Sequence, residues 1–338
     1  MGFFDRLLGC GLIAAPLLGC APSAPEGART KPTPVEAAQS EASPPQAQAQ
    51  APEPQPADEA LIRELEALSR RPATRAELDA YIAAHPDVVA AEAKPYGPAL
   101  MWALEFEEEE MALALVAAGA KIPETALGLA ARGGLDAFIR ELLARGASPG
   151  SADGWGYTPL HHAAKYGHTS TMKLLLAAGA APSTQATNDG FTPLHIAVME
   201  RRLEPVRALI EAKADLEARD DDGRTPLHWG PFAYAPQPVH IYADLGAPHD
   251  TVFKDPGPAV IIDVLLDAGA RIDAADARGD TPLHEAVRIR SRRGLEALLA
   301  RGAEIDATNE AGETPLSIAE RQGDEEIAKM MRKWDRKK

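Results

Sequence analysis

Four residues, Thr-Pro-Leu-His, recur along this chain and limit what it can fold into. They stand at Thr158-Pro159-Leu160-His161, Thr192-Pro193-Leu194-His195, Thr225-Pro226-Leu227-His228 and Thr281-Pro282-Leu283-His284, and decay to Thr314-Pro315-Leu316-Ser317. Successive prolines are 34, 33, 56 and 33 residues apart. Threonine is a helix N-cap, and proline suits the first helical position, where its missing N–H costs nothing. Leucine opens a buried stripe, and the following Ala163, Ala197 and Ala286 let helices pack closely. Nineteen residues after the leucine, three copies reach a small turn at Gly179-Ala180, Lys213-Ala214 and Gly302-Ala303. A second helix such as Thr171 to Ala178 is thus expected to end on a left-handed C-cap. Segments such as Asp220-Asp221-Asp222-Gly223 then make a β-turn. No such unit buries its faces alone, so neighbours must stack.

A period of 33 carrying Thr-Pro-Leu-His resembles the ankyrin repeat. The resemblance implies an all-α solenoid of helix-turn-helix units with β-turn tips, about six to seven repeats in number. The same spacing of nineteen finds weaker copies from Leu127 to Gly146 and from Leu100 to Gly119. Repeats are therefore expected over 96–331, preceded by a helical N-terminal cap or degenerate repeat over 59–95. In that cap Thr74 and Glu77 spell a capping box. The last copy, Thr314 to Met331, is more polar, as a terminal cap should be. One repeat departs: Leu227 to Gly269 spans 42 residues, an excess of 23. The insertion falls within Pro231 to Pro258, after Trp229-Gly230, and carries Phe232, Tyr234, Tyr242 and Phe253. Such a loop inside a compact repeat is uncommon and often functional.

The first nineteen residues read as an export signal. Leu7 to Leu18 is an apolar run of about twelve residues, shorter than the roughly 20 that cross a bilayer. It closes on Leu17-Leu18-Gly19-Cys20, which resembles the lipobox of bacterial lipoproteins. The resemblance implies lipid on Cys20 and a place in the bacterial cell envelope, at the outer membrane and facing the periplasm. Residues 20–58 are expected to be a disordered Pro/Ala/Gln-rich tether, with nine prolines between Ala21 and Asp58. Residues 332–338 form a basic tail whose cations complement a helix C-terminus. The two cysteines, Cys10 and Cys20, both precede the repeats, so no thiolate metal site or disulfide belongs to the body.

A formal net charge of −15 argues against nucleic acid and favours a protein partner with a basic surface. No nucleophile elbow, phosphate-cradling loop or paired-carboxylate motif occurs, so no catalytic residue, cofactor or metal is expected. His240, Asp244, His249 and Asp250 in the insertion do not have the spacing of a known metal site. The acid run Glu107 to Glu110 reads as a solvated helix surface. The family resemblance implies that a partner meets the turn tips and the exposed face of each first helix, which together line a concave groove. Mapped here, the tips offer Trp155, Tyr157, Asp189, Phe191, Asp221, Asp222, Arg224, Arg278 and Asp280. The first helices offer Lys165, Tyr166, Met199, Glu200, Arg288 and Ile289. Exposed aromatic residues are of the hot-spot type. The expectation is a monomeric, membrane-tethered binding or scaffold protein. An inhibitor or immunity-type protein that neutralises a cationic enzyme or toxin is the alternative.

Overall fold

Each Thr-Pro step does open a helix, and the helices come in pairs. A computed structural model describes residues 56–69, 75–90, 92–93, 97–232 and 257–335. Cys20, the tether up to residue 55 and residues 233–256 of the insertion lie outside them. Sixteen α-helices occur among the described residues. None is long and apolar enough to cross a membrane.

Helices α1 (Pro56–Ser69) and α2 (Arg75–Ala84) form the N-terminal cap. Helix α1 starts at Pro56, inside the segment expected to be tether, because proline is compatible with the first turn of a helix. A two-residue antiparallel pair, Glu92–Ala93 with Gly97–Pro98, leads into the repeats. Seven helix pairs follow. They are α3 (Ala99–Glu105) with α4 (Glu109–Ala117), α5 (Ala126–Gly133) with α6 (Asp136–Ala144), and α7 (Pro159–Tyr166) with α8 (Thr169–Ala177). Next come α9 (Pro193–Met199) with α10 (Leu203–Glu211), and α11 (Pro226–Trp229) with α12 (Gly257–Asp267). The last two are α13 (Pro282–Arg288) with α14 (Arg292–Ala300), and α15 (Pro315–Arg321) with α16 (Glu325–Asp335). Helix α16 runs through Arg332 and Lys333 to Asp335, so the basic tail begins as helix. Arg332 pairs with Glu320 at 2.5 Å.

First helices pack on first helices from α3 to α15, and second helices on second helices from α4 to α14. The interface is a leucine–alanine core. Leu160, Ala163, Ala164, Leu175, Leu194, Ala197, Leu209, Leu283 and Leu298 are all fully buried. Each such leucine contributes about 1.5–3 kcal/mol.

The motif histidine ties one repeat to the next. His195 Nδ1 accepts from the Thr192 backbone N–H at 3.1 Å, which leaves Nε2–H to donate to the Arg224 carbonyl at 3.0 Å. His161 reaches Phe191 O in the same way, His228 reaches Asp280 O and His284 reaches Glu313 O. The His228 bridge spans the insertion, so the stacking register survives it. Ser317 closes the series. It accepts from Thr314 N–H at 2.9 Å and turns its own hydroxyl back to Thr314 O, with no bond to another repeat among the described residues.

Helix α11 is short because Gly230 and Pro231 follow Trp229 at once. A Cβ on Gly230 would come within 2.9 Å of the Ile262 side chain and 3.1 Å of Leu227 O. The glycine in place of the packing alanine therefore lets α12 approach. Pro231 in turn lies against Gly294 of α14, where a Cβ would meet it at 2.9 Å.

Candidate functional site

Most turn tips are built around one side-chain oxygen of Asp or Asn. Asp153 Oδ1 accepts from the backbone N–H of Trp155 and Tyr157, at 2.9 and 3.0 Å. Asp220, Asp276 and Asn309 hold the later tips in the same way. Successive tips are laced by backbone bonds: Asp221 N to Asp189 O, Ala277 N to Asp222 O, and Glu310 N to Arg278 O. The tip before α9 differs. Ala186 stands where the others have Asp or Asn, the loop is one residue longer, and Asp189 instead accepts from Phe191 N–H at 3.0 Å.

This scaffold sorts the aromatic tip residues. Trp155 is 64% exposed and Tyr166 39%, with Lys165 Nζ 5.9 Å from the Tyr166 ring centre. Tyr157 is half-buried and donates its hydroxyl to the Asp189 carboxylate. Burial, with Asp189 beside it, pushes the phenol well above its ordinary pKa. Phe191 is also half-buried, stacked on His195 and edge-on to Trp229 at 5.2 Å. Tyr157 and Phe191 thus hold neighbouring repeats together, while Trp155 and Tyr166 are exposed. Met199 and Glu200 are half-buried at the end of α9, and burial raises the Glu200 pKa against the pull of Lys165 and Arg202. Asp221 and Asp222 are exposed.

Asp280 corrects the expectation of an exposed tip residue. Its side chain is 1% exposed, and its oxygens accept from Arg288 Nη2 at 2.5 Å and Asn309 Nδ2 at 2.8 Å. The neighbouring repeat's Asn309 covers it, so it serves the stack rather than a partner. Arg224, Arg278 and Arg288 converge on the same spot. Asp276, Asp280 and Glu285 place carboxylate oxygens within 4.8 Å of one another. Arg278 Nη2 reaches Glu285 at 2.9 Å and Asp276 at 3.3 Å, and Arg224 lies 3.9 Å from both. Three guanidinium groups already balance three carboxylates, so a cation here would have to displace an arginine. Burial raises the Glu285 pKa, and the three arginines oppose that shift.

The groove position immediately after the motif histidine was not read from the sequence as special, yet it joins tip to helix. His162 Nε2 lies 3.0 Å from Asp153 Oδ2, and Trp229 Nε1 donates to Asp220 Oδ2 at 3.0 Å. Arg224 lies over the Trp229 ring at 5.3 Å. The acid run is also more than a solvated surface. Glu109 Oε1 accepts from Ala137 N–H at 2.6 Å and Phe138 N–H at 3.1 Å, capping α6 of the next repeat. His240, Asp244, His249 and Asp250 lie outside the described residues.

A family model described as "Ankyrin repeats (many copies)" matches residues 142–188. One described as "Ankyrin repeats (3 copies)" matches residues 179–230 and 256–337, so the two together cover about half the chain and break at the insertion. Similar proteins include ankyrin repeat and SOCS box protein 3 of Bos taurus, 30% identical over 176 residues, which are 48% of this chain and 33% of that protein. B-cell lymphoma 3 protein of Homo sapiens is 32% identical over 190 residues, 51% of this chain and 40% of that protein. Inversin of Canis lupus familiaris is 31% identical over 199 residues, 56% of this chain and 16% of that protein. The chain thus spans well under half the length of each of these relatives.

Proposed function

Since the chain belongs to the ankyrin-repeat family, we propose that it is a non-catalytic scaffold or adaptor that seats a protein partner on its concave turn-tip and first-helix surface. The carrying observation is Trp155, 64% exposed at a tip and followed by the exposed Tyr166 on the helix that the tip leads into. A turn that needed only solubility would not present indole to water, whereas Trp and Tyr dominate binding hot spots. The net charge of −15 favours a partner whose surface as a whole is basic. The chain works as a monomer, held at the bacterial cell envelope by lipid on Cys20 and facing the periplasm from the outer membrane. The Leu17-Leu18-Gly19-Cys20 box and the proline-rich stretch after it support that placement.

The test of the surface is co-purification from detergent extract with wild type and with Trp155→Ala/Tyr166→Ala. Loss of the principal partner from the variant is expected; equal recovery removes this surface from the argument. For the anchor, wild type should partition into the detergent phase of a cloud-point extraction and Cys20→Ser into the aqueous phase. Identical partition excludes lipid on Cys20. The same acidity favours a second reading, an inhibitor or immunity-type protein. It requires that the captured partner be a cationic enzyme or toxin whose activity is quenched at one equivalent.

A further inference from the structure

The arginines around α13 stand over carboxylates that solvent does not reach. The side chains of Asp276, Asp280 and Glu285 are 0%, 1% and 2% exposed, while those of Arg278 and Arg288 are 50% and 32% exposed. A visiting group therefore meets guanidinium first, and the balancing negative charge lies beneath. Coulomb energy falls with distance, so at contact the nearer cation outweighs the deeper anion. The guanidinium groups also have donors left. Both Arg278 and Arg288 hydrogen-bond their carboxylates through Nη2, while Arg278 Nε lies 3.4 Å from Asp280 and Arg288 Nε 3.7 Å from Glu285 in ion-pair range only. The Nη1 of each makes no hydrogen bond or ion pair among the described residues.

We infer that Arg278 and Arg288 form a seat for a carboxylate side chain, Asp or Glu, on the protein partner. This rests on the turn-tip and first-helix reading above and gives it a polar anchor. The buried carboxylates hold both side chains in place, so little rotamer entropy remains to be lost on binding. Arg278 reaches in from the tip and Arg288 from the first helix, so the seat lies where the two parts of the surface meet. The overall charge of −15 acts at longer range and is screened beyond a Debye length of about 8 Å at physiological ionic strength. A partner with a basic surface steered by that field still places one acidic side chain here.

Fluorescence anisotropy of the full chain with two labelled dodecapeptides, alternating Ala-Glu and alternating Ala-Lys, tests the seat. Removing Arg278 alone would strand buried charge and threaten folding. The informative pair is therefore Glu285→Gln, and Arg278→Gln combined with Glu285→Gln, each checked by circular dichroism. The Ala-Glu peptide should bind Glu285→Gln about threefold more tightly than wild type, because a charge beneath the seat is gone. It should bind the double variant about tenfold more weakly than Glu285→Gln, the loss of one charge-assisted hydrogen bond. A merely structural role for the cluster predicts that both variants weaken binding together. Equal Ala-Glu affinity in all three proteins overturns the inference. So does an Ala-Lys peptide that binds where the Ala-Glu peptide does not and is unaffected by either variant, and that outcome leaves the surface reading standing.

Discussion

Replacing His195 with serine separates what the motif histidine does within its own repeat from what it does between repeats. The last repeat supplies the template, since Ser317 keeps the capping bond to Thr314 N–H without reaching onward. In His195→Ser the bond from Nε2–H to Arg224 O is lost and a void is left behind, while Arg224 O keeps its bond from the Asp220 backbone N–H at 2.9 Å. At pH 7 the loss should be about 2–4 kcal/mol, from the lost inter-repeat hydrogen bond and the lost packing together. Acid then changes the comparison. Burial lowers the His195 pKa from 6.5 to about 4, although the Arg224 carbonyl pulls the other way. Between those values the unfolded chain binds a proton on this ring and the native chain does not, so stability is lost as pH falls. The fall from 6.5 to about 4 amounts to about 3 kcal/mol at pH 4. Glu200 and Glu285 titrate in the opposite sense, because burial raises their pKa, but they are present in both proteins and cancel in the difference. Urea unfolding followed by circular dichroism should show wild type ahead of His195→Ser at pH 7 and nearly level with it at pH 4. A gap that stays constant across that range would refute the assignment of a neutral, bridging His195.

Three further substitutions test local arguments. Lys213 sits at φ 60° where α4, α6, α8, α12 and α14 turn on glycine, so Lys213→Gly should stabilise the chain by about 1 kcal/mol in the same urea assay. Glu109→Ala removes the cap that α4 lends to α6 and should cost about 1 kcal/mol, with faster amide exchange at Ala137 and Phe138. Gly230→Ala drives a methyl into Ile262 and the Leu227 carbonyl, and a loss of about 1–3 kcal/mol in thermal unfolding is expected.

The helix pairs were legible because their signals are local: Thr caps, Pro fits the first turn, and His accepts from a backbone three residues back. Contacts between repeats were not. Glu109 belongs to a run that looks solvated, and only the stacking of α4 beside α6 brings it to a helix N-terminus. Asp280 carries the pattern of an exposed tip, yet Asn309 from the following repeat covers it. Tyr157 and Phe191 announced themselves as aromatic, but whether they face water depends on Asp189 and Trp229 in the adjoining units. Trp155 meets no such neighbour among the described residues and is exposed.

One pairing within the repeat explains why the arginines gather where they do. The second oxygen of each tip carboxylate faces the residue after the motif histidine: His162 in one repeat, Trp229 in another, both hydrogen-bond donors. Where that position is apolar, at Ile196 and Ile318, the tip has Ala186 or turns Asn309 elsewhere, so no buried acceptor is stranded. The repeat containing α13 breaks the pattern, because there the tip is Asp276 and the helix residue is Glu285, two acceptors that repel. Neither is exposed, so each needs cations from nearby, and Arg224, Arg278 and Arg288 are those cations. An apolar residue in place of Glu285 would remove the conflict, and buried ion clusters often lose nothing in stability when replaced by apolar groups. What the cluster supplies that an apolar core could not is two guanidinium groups held at the surface, Arg278 and Arg288.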